Sequence, residues 1–301
     1  MATRYEEALY QACQARPEIV VLTAENRAAI RSLPARLGGR FIDVGICEQT
    51  MIGAAAGLAL RGRVPVVHAL ATFLTMRAFE FIRSDVGLAR LPVKLVGGVP
   101  GFLSEANGPT HQAIEDVGLM RLVPGMEIFC PADEDELVAG LPHALASPAP
   151  VYIRYLSRPA AWPREAPFAW GKAEVLGAGR DVAILSYGLL AGECAAARQA
   201  LVAEGLEARL VNLRTLAPLD EGAVLAAAHQ AKLVVTVEDH LVTGGLFSIV
   251  AELCARARVA PRIVPLGLSG PFAAAMLPDA LRHQGFTGQA IARRIAQEFT
   301  H

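Results

Sequence analysis

Short apolar runs alternate with longer helical patterns along the 301 residues of this chain. In the first half, six runs rich in Val, Ile and Leu contain few polar positions, which is typical of parallel strands covered on both faces. The predicted strands are Ile19–Thr23, Phe41–Asp43, Val64–Val67, Val93–Val96, Glu127–Cys130 and Val151–Arg154. The predicted helices between them are Glu48–Leu60, Met76–Leu88, Gln112–Arg121 and Asp135–Leu145. This alternation predicts an α/β domain with an open, doubly wound and mostly parallel sheet.

A stretch rich in Pro and Gly near Trp162 interrupts the pattern, and a second αβ series follows it. Its predicted strands are Val182–Leu185, Ala208–Val211, Leu233–Val237 and Arg262–Pro265. Its predicted helices are Ala191–Ala203, Glu221–Gln230 (with Asp220 as N-cap), Leu246–Arg256 and Gly288–Gln297. We therefore expect two doubly wound domains, at residues 1–160 and 172–301, joined by a linker at 161–171.

The composition and net charge exclude several classes of protein. Hydrophobic residues make up 53% of the chain and the net charge is −1, which excludes a disordered chain and argues against nucleic acid as a partner. No apolar run is long enough to predict a membrane span, and the first residues lack the apolar segment of a secretory signal. The five cysteines are scattered and form no CxxC pair, so we expect a reducing, cytoplasmic setting without a disulfide framework or zinc site.

Glu48 is the first candidate for chemistry. The sequence Asp43-Val44-Gly45-Ile46-Cys47-Glu48-Gln49 follows a predicted strand and opens an almost wholly apolar helix. Ligands bind outside the carboxyl ends of strands in open parallel sheets, and a desolvated carboxyl group there suits proton transfer. The alternative is a first-turn acid that only complements the helix dipole.

Three further segments follow predicted strands. Phe73 is predicted in a strand-end loop, where it either stacks on a flat ring or packs in the core. His111 is predicted at a helix start after Asn107-Gly108-Pro109-Thr110, with Thr110 as a possible cap and with either a structural or a catalytic role. Residues 238–245 form either a structural turn or an anion site at a helix N-terminus. No dinucleotide-binding or Walker A motif is present, and no cluster has metal-ligand spacing.

Taken in order, these motifs resemble the C-terminal half of the transketolase family. The matching stretches are Asp43–Gln49, Ala71–Glu80, Gly108–Gln112, Val151–Arg154 and Thr236–Gly245, which together span nearly the whole chain. The family includes transketolases, 1-deoxyxylulose-5-phosphate synthases and the beta subunits of 2-oxo acid dehydrogenases. The resemblance implies a pyrimidine-binding domain followed by a transketolase C-terminal domain, and thiamine diphosphate as cofactor.

The resemblance also implies roles for individual residues. Glu48 falls on the family's catalytic glutamate, which hydrogen-bonds N1′ of the aminopyrimidine, and Phe73 falls on the aromatic residue that stacks on that ring. Ile46, Arg77 and Glu25 are assigned to the cofactor as well. His111 falls on a histidine of the substrate channel and is placed with Glu48 among the catalytic residues.

Arg4, Asn107, His111 and Arg158 are the candidate substrate-binding residues. Two of them, Arg4 and Arg158, match arginines that bind a substrate phosphate in relatives. Other phosphate contacts are absent, because Val99 stands where relatives have a histidine and the serine of the first loop is replaced near Ala29. The departures lead us to expect a specialised ketol-transferring enzyme with a non-standard donor or acceptor.

One half of the cofactor site is missing from the sequence. The family binds the diphosphate and Mg²⁺ through a Gly-Asp-Gly motif, and the chain contains none, so no metal ligand is expected here. The resemblance implies a partner subunit that carries this motif and an α₂β₂ heterotetramer. The high apolar content is then expected to cover subunit interfaces.

Two alternatives remain open at this point. The first is decarboxylation of a 2-oxo acid, as in deoxyxylulose phosphate synthase or a dehydrogenase beta subunit. The second is a non-catalytic partner that keeps the fold, against which the retained Glu48 argues.

Overall fold

The computed structural model describes residues 3–164 and 167–300, which form two α/β units. The strands, numbered along the chain, are β1 (Ile19–Thr23), β2 (Phe41–Asp43), β3 (Val64–Leu70), β4 (Lys94–Gly98), β5 (Glu127–Phe129), β6 (Val151–Arg154), β7 (Glu174–Leu176), β8 (Val182–Ser186), β9 (Ala208–Asn212), β10 (Thr215–Ala217), β11 (Leu233–Leu241) and β12 (Ile263–Leu268). They build a seven-stranded sheet in the order β10-β5-β6-β4-β3-β1-β2 and a five-stranded sheet in the order β12-β11-β8-β9-β7. Both sheets are parallel except for β10 and β7, which pair antiparallel at one edge of each.

Helices cover both faces of each sheet. They are α1 (Arg4–Ala15), α2 (Leu33–Leu37), α3 (Glu48–Leu60), α4 (Phe79–Phe81), α5 (Asp116–Arg121), α6 (Glu134–Ala146), α7 (Leu190–Ala203), α8 (Glu221–Gln230), α9 (Leu246–Ala257), α10 (Leu277–Gln284) and α11 (Gly288–Thr300). Central strands such as β1 and β8 are buried at every position, which explains their unbroken apolar sequences. Within the described residues, no helix combines the length and apolar character needed to cross a membrane.

The predicted doubly wound fold is confirmed, and several elements have the predicted bounds. Ile19–Thr23, Phe41–Asp43, Glu48–Leu60, Val151–Arg154 and Glu221–Gln230 begin and end where the pattern places them. Asp220 caps α8 as expected, because its carboxylate accepts a hydrogen bond from the backbone of Ala223 at 3.1 Å. The sequence pattern missed α1, α2, α10, β7 and β10.

The predicted helix Met76–Leu88 is wrong in form. The segment consists of two π-helical turns, Phe73–Arg77 and Ile82–Gly87, separated by the short helix α4. Phe73 therefore opens a helical turn and does not lie in a loop. A π-turn shifts the side chains after it around the helix axis and is frequent at functional sites.

The predicted helix Gln112–Arg121 begins four residues too early, since α5 starts at Asp116. Gln112 is extended because its side-chain amide makes two hydrogen bonds with the backbone of Phe272 in the second unit, at 2.7 and 3.0 Å. His111 therefore ends a short 3₁₀ turn, Pro109–His111, and does not begin a helix. The expected cap at Thr110 is also absent, because its hydroxyl lies 3.0 Å from Nδ1 of His111.

The two units are joined by buried polar contacts. Arg154, at the end of β6, pairs with Asp116 of α5 and with Asp239 of β11, and all three side chains are almost fully buried. β10, which follows the second unit's β9, adds to the first sheet beside β5. Residues 165 and 166 of the expected linker lie outside the described residues, while Trp162 and Trp170 on either side donate hydrogen bonds to Glu174 and Glu127.

Candidate active site

The carboxyl ends of β1, β2, β3 and β4 meet at one edge of the first sheet, and most of the candidate residues follow these strands. Glu48 begins α3 shortly after β2, whereas Phe73 follows β3. His111 lies in the connection between β4 and α5. Parallel strands whose connecting loops diverge at such an edge form a crevice in which α/β proteins bind ligands.

A hydrogen-bonded turn shapes the approach to Glu48. Asp43, the last residue of β2, accepts hydrogen bonds from the backbone N–H groups of Gly45 at 3.0 Å and Glu25 at 3.2 Å, and it pairs with Arg27. Burial alone would raise the pKa of Asp43, but these hydrogen bonds and the Arg27 guanidinium hold it below its usual value. Gly45 has a φ of +73°, a conformation that suits glycine, so the chain can turn there into α3.

Glu48 is buried at the start of α3, and only 3% of its side chain is exposed. Its Oε2 accepts a hydrogen bond from Nη1 of Arg77 at 2.8 Å. The carboxylate is therefore desolvated, as predicted for a group that transfers a proton. It also lies in the first turn of α3, where a negative charge complements the helix dipole, so both features predicted for Glu48 are present. The partner of this charge is a cation from the π-helical turn, 29 residues away in the sequence.

Phe73 and His111 lie beside this ion pair. The Arg77 guanidinium carbon is 4.2 Å from the centroid of the Phe73 ring, and the His111 ring packs against Phe73 edge-on with centroids 5.1 Å apart. The sequence-predicted residues Glu48, Phe73, Arg77 and His111 therefore form one contiguous cluster of an acid, a cation and two rings. Phe73 is only partly buried, so core packing is not its main environment.

Three other candidates lie around this cluster. Ile46 is 68% exposed on the turn that precedes Glu48. Glu25 is exposed and has a φ of +57° in the loop after β1. Asn107 is exposed at the end of a 3₁₀ segment, Gly101–Asn107.

Arg4 and Arg158 lie next to one acidic segment and make no contact with the Glu48 cluster. Arg4 pairs with Asp135, whereas the carbonyl of Arg158 accepts a hydrogen bond from the backbone of Glu134 at 2.9 Å. Arg158 also lines a cavity of about 450 Å³ between the two units, together with Arg282 of α10.

The motif at residues 238–245 is structural. Glu238 accepts hydrogen bonds from the backbone N–H groups of Leu246 and Phe247 at 2.6 and 3.0 Å. The chain's own carboxylate therefore occupies the N-terminus of α9, which resolves the two alternatives in favour of a structural turn. Burial raises the pKa of Glu238 to about 8.

Sequence reasoning missed two buried polar groups, Arg154 with its two aspartates and His68 in β3. Arg154 ends the predicted strand Val151–Arg154 and belongs to a matching stretch, but neither feature predicts its partners. The predicted strand Val64–Val67 stops one residue before His68, whereas β3 continues to Leu70 and buries that histidine. Its Nε2 lies 2.9 Å from the Tyr5 hydroxyl.

Comparisons with known proteins support the assignment of the fold. The transketolase pyrimidine-binding domain model matches residues 1–160 and the transketolase C-terminal domain model matches residues 171–291. The chain is 38% identical to the 6-deoxy-6-sulfo-D-fructose transketolase subunit SqwH of a Clostridium species, over 96% of this chain and 91% of that protein. It is 37% identical to 1-deoxy-D-xylulose-5-phosphate synthase of Dictyoglomus turgidum, over 85% of this chain and only 42% of that longer protein.

A solved structure described as a split-gene transketolase, an inactive β4 tetramer, superposes with a TM-score of 0.88 at 34% identity. The match covers 98% of this chain and 97% of the other. Two family models that together cover most of the sequence, and relatives above 30% identity, agree with the resemblance carried by the motifs. The chain therefore belongs to the transketolase family and contains its pyrimidine-binding and C-terminal domains, in that order.

Proposed function

We propose that the chain is the pyrimidine-binding subunit of a two-component transketolase that uses thiamine diphosphate. In this proposal the enzyme moves a two-carbon ketol unit from a ketose-like donor to an aldehyde-like acceptor. The observation that carries the proposal is the contact of Arg77 with both the buried Glu48 carboxylate and the partly exposed ring of Phe73. A relative described as a transketolase subunit and a solved structure described as a split-gene transketolase support it.

The residues of this cluster fit an aminopyrimidine. Glu48 provides a buried oxygen acceptor, and Phe73 provides a flat apolar face next to it. When bound, thiamine diphosphate supplies an acidic carbon that adds to a carbonyl group and then accepts the electron pair of the broken carbon–carbon bond. Glu48 would hold a proton shared with a ring nitrogen, while Phe73 would orient the ring. Ile46 and Glu25 would contact the cofactor from neighbouring turns.

Arg77 has two tasks in this proposal. Its guanidinium balances the buried charge of Glu48, and its planar group covers part of the Phe73 ring. His111 packs edge-on against Phe73, and in this proposal it would face the substrate and exchange a proton with a hydroxyl group there. Asn107, Arg4 and Arg158 would bind polar groups of the donor or the acceptor outside this cluster.

A partner subunit would complete the site. The 301 residues contain no Gly-Asp-Gly motif, and no group of three or more His, Cys, Asp or Glu side chains in the described residues is arranged to hold a metal ion. We therefore assign the diphosphate and Mg²⁺ to a partner that carries the motif. The match covers 91% of SqwH, which is described as a transketolase subunit, and 42% of the longer D. turgidum synthase.

Exposed apolar side chains of the first unit supply surface for assembly. They are between 37% and 71% exposed: Ile46, Leu60, Met76, Phe81, Leu88 and Leu122. Large exposed apolar side chains are candidates for contact with partner subunits. We propose that they cover the interfaces of an α₂β₂ heterotetramer in a cytoplasmic enzyme.

Decarboxylation of a 2-oxo acid is the second candidate, because deoxyxylulose phosphate synthases are also relatives. The test uses the complex of this chain with its Gly-Asp-Gly partner, thiamine diphosphate and Mg²⁺. Ketol transfer from a ketose to an aldehyde is measured beside CO₂ release from pyruvate. We expect transfer without CO₂ release, whereas CO₂ release dependent on Glu48 would favour decarboxylation. A complex inactive in both assays would support the non-catalytic alternative.

A further inference from the structure

A small cavity lies at the same sheet edge as the candidate active site. Its volume is about 180 Å³. Its walls include the last residues of two neighbouring strands, Leu70 of β3 and Gly98 of β4, which are paired in register. Leu70 precedes Phe73 by three residues, and the chain beyond Gly98 leads to His111. The cavity and the two aromatic rings therefore lie on segments that leave the same edge of the sheet.

Most of the cavity wall is apolar and small. Ala28 and Ala29 come from the loop after β1, while Val96 and Val99 come from β4 and the residue that follows it. Val99 has a φ of +47°, which is unusual for a β-branched residue and is energetically unfavourable. Such strained backbone is concentrated at binding and catalytic sites.

The polar groups of the cavity carry no charge at neutral pH. They are the Asn26 amide, the His68 ring and the Tyr155 hydroxyl. Burial lowers the pKa of His68 to about 4, and burial raises the pKa of Tyr155 above its ordinary value. The neighbouring cation Arg27 is already paired with Asp43, and Arg4 is paired with Asp135.

His68 forms a fixed, neutral part of the cavity wall. The residue is 3% exposed, and its Nε2 lies 2.9 Å from the Tyr5 hydroxyl. Burial lowers the pKa of the ring, while backbone groups of Leu22 and Val66 beside it partly oppose that shift. The ring therefore supplies no positive charge to a group bound in the cavity.

We propose that this cavity binds the distal end of the substrate and that this end is small and uncharged. The inference rests on the proposed ketol-transfer function and adds a substrate class to it. A methyl or hydroxymethyl terminus matches alanine and valine walls with a few neutral polar groups. A phosphate or sulfonate terminus would be desolvated there, and no Lys or Arg side chain in the part of the chain that the structure describes lines the cavity to pair with it, which disfavours binding.

Three donors of equal carbon number test the proposal in the reconstituted complex. They are 6-deoxy-D-fructose, D-fructose 6-phosphate and 6-deoxy-6-sulfo-D-fructose, which all lack a free 6-hydroxyl group and end in a small neutral methyl group or in a larger anionic phosphate or sulfonate. We expect kcat/KM for the uncharged donor to exceed that for each anionic donor at least about tenfold. A preference for either anionic donor would overturn the proposal while leaving ketol transfer intact.

A substitution in the cavity wall tests whether this cavity causes the preference for the uncharged donor. Ala29→Arg adds a cation at the partly exposed rim, and we expect it to shift the ratio of kcat/KM values towards the anionic donors at least about tenfold. Val175→Arg, on the exposed side of β7, is the matched control and should leave the ratio unchanged. An unchanged ratio in Ala29→Arg would overturn the assignment to this cavity. Absence of ketol transfer from all three donors would instead contradict the proposed function.

Discussion

Nη1 of Arg77 lies 2.8 Å from Oε2 of Glu48, and the carboxylate is buried while the guanidinium is 40% exposed. A cation at the mouth of the site thus balances a charge in its interior. The same guanidinium lies 4.2 Å from the centroid of the Phe73 ring, so the pair joins the two residues proposed to contact the pyrimidine.

Removal of the Arg77 charge should weaken cofactor binding. Arg77→Leu leaves the buried Glu48 carboxylate without its partner, which costs about 1–3 kcal/mol. We expect the half-saturating concentration of thiamine diphosphate for ketol transfer to rise about tenfold or more. Arg77→Lys keeps the charge and should retain more of the affinity. Equal affinity in the wild type and in Arg77→Leu would remove Arg77 from the cofactor site.

Arg154 should dominate the stability of the contact between the two units. Arg154→Met leaves Asp116 and Asp239 buried without a cation, so the free energy of unfolding should fall by about 3–5 kcal/mol. Urea denaturation measures this change. Arg282→Met, which removes an exposed ion pair with Asp279, is the control and should change stability by less than about 1 kcal/mol. Similar losses in both variants would contradict the structural role of Arg154.

His68 should make the stability of the chain sensitive to acid. Burial lowers its pKa from 6.5 to about 4, so between these values the unfolded chain binds a proton that the folded chain does not. Stability should therefore fall as the pH drops from about 6.5 to 4, by up to about 1.4 kcal/mol per pH unit from this group. His68→Gln should reduce the slope, as followed by urea midpoints across this range. A variant of the exposed His283 is the control and should keep the pH dependence of the wild type. If the stability of His68→Gln falls with pH as steeply as that of the His283 variant, His68 is not buried in its neutral form.

The exposed apolar residues should control assembly. Leu88→Glu places a charge on the proposed interface and should shift the complex towards smaller species in sedimentation velocity experiments. Val202→Glu changes a residue of comparable character on α7 and should leave the assembly intact. An unchanged sedimentation profile for Leu88→Glu would exclude Leu88 from the interface.

Local patterns in the sequence predicted most strands and helices of the two sheets' layers. β1 and α3 match their predicted bounds because an unbroken apolar run or a helix-opening acid is a local signal. The motif order also identified Glu48, Phe73, Arg77 and His111, which the structure places in one cluster.

Long-range pairings explain the failures. Gln112 is extended because of a double hydrogen bond with Phe272, 160 residues away, and no local pattern contains that contact. The short strand β10 is stabilised by pairing with β5 of the other unit, so its own sequence carries little signal. The π-helical turns around Phe73 and Ile82 change the helix register without a distinctive composition.

The most direct test of the account is ketol transfer by the Glu48→Gln variant in complex with the partner subunit. The substitution preserves size while removing the carboxylate, so the complex should assemble normally and transfer should fall at least about 100-fold. Glu204→Gln, at an exposed position after α7, is the matched control and should retain activity. Loss of transfer with intact assembly in Glu48→Gln is the predicted result, and activity equal to that of Glu204→Gln would contradict the account.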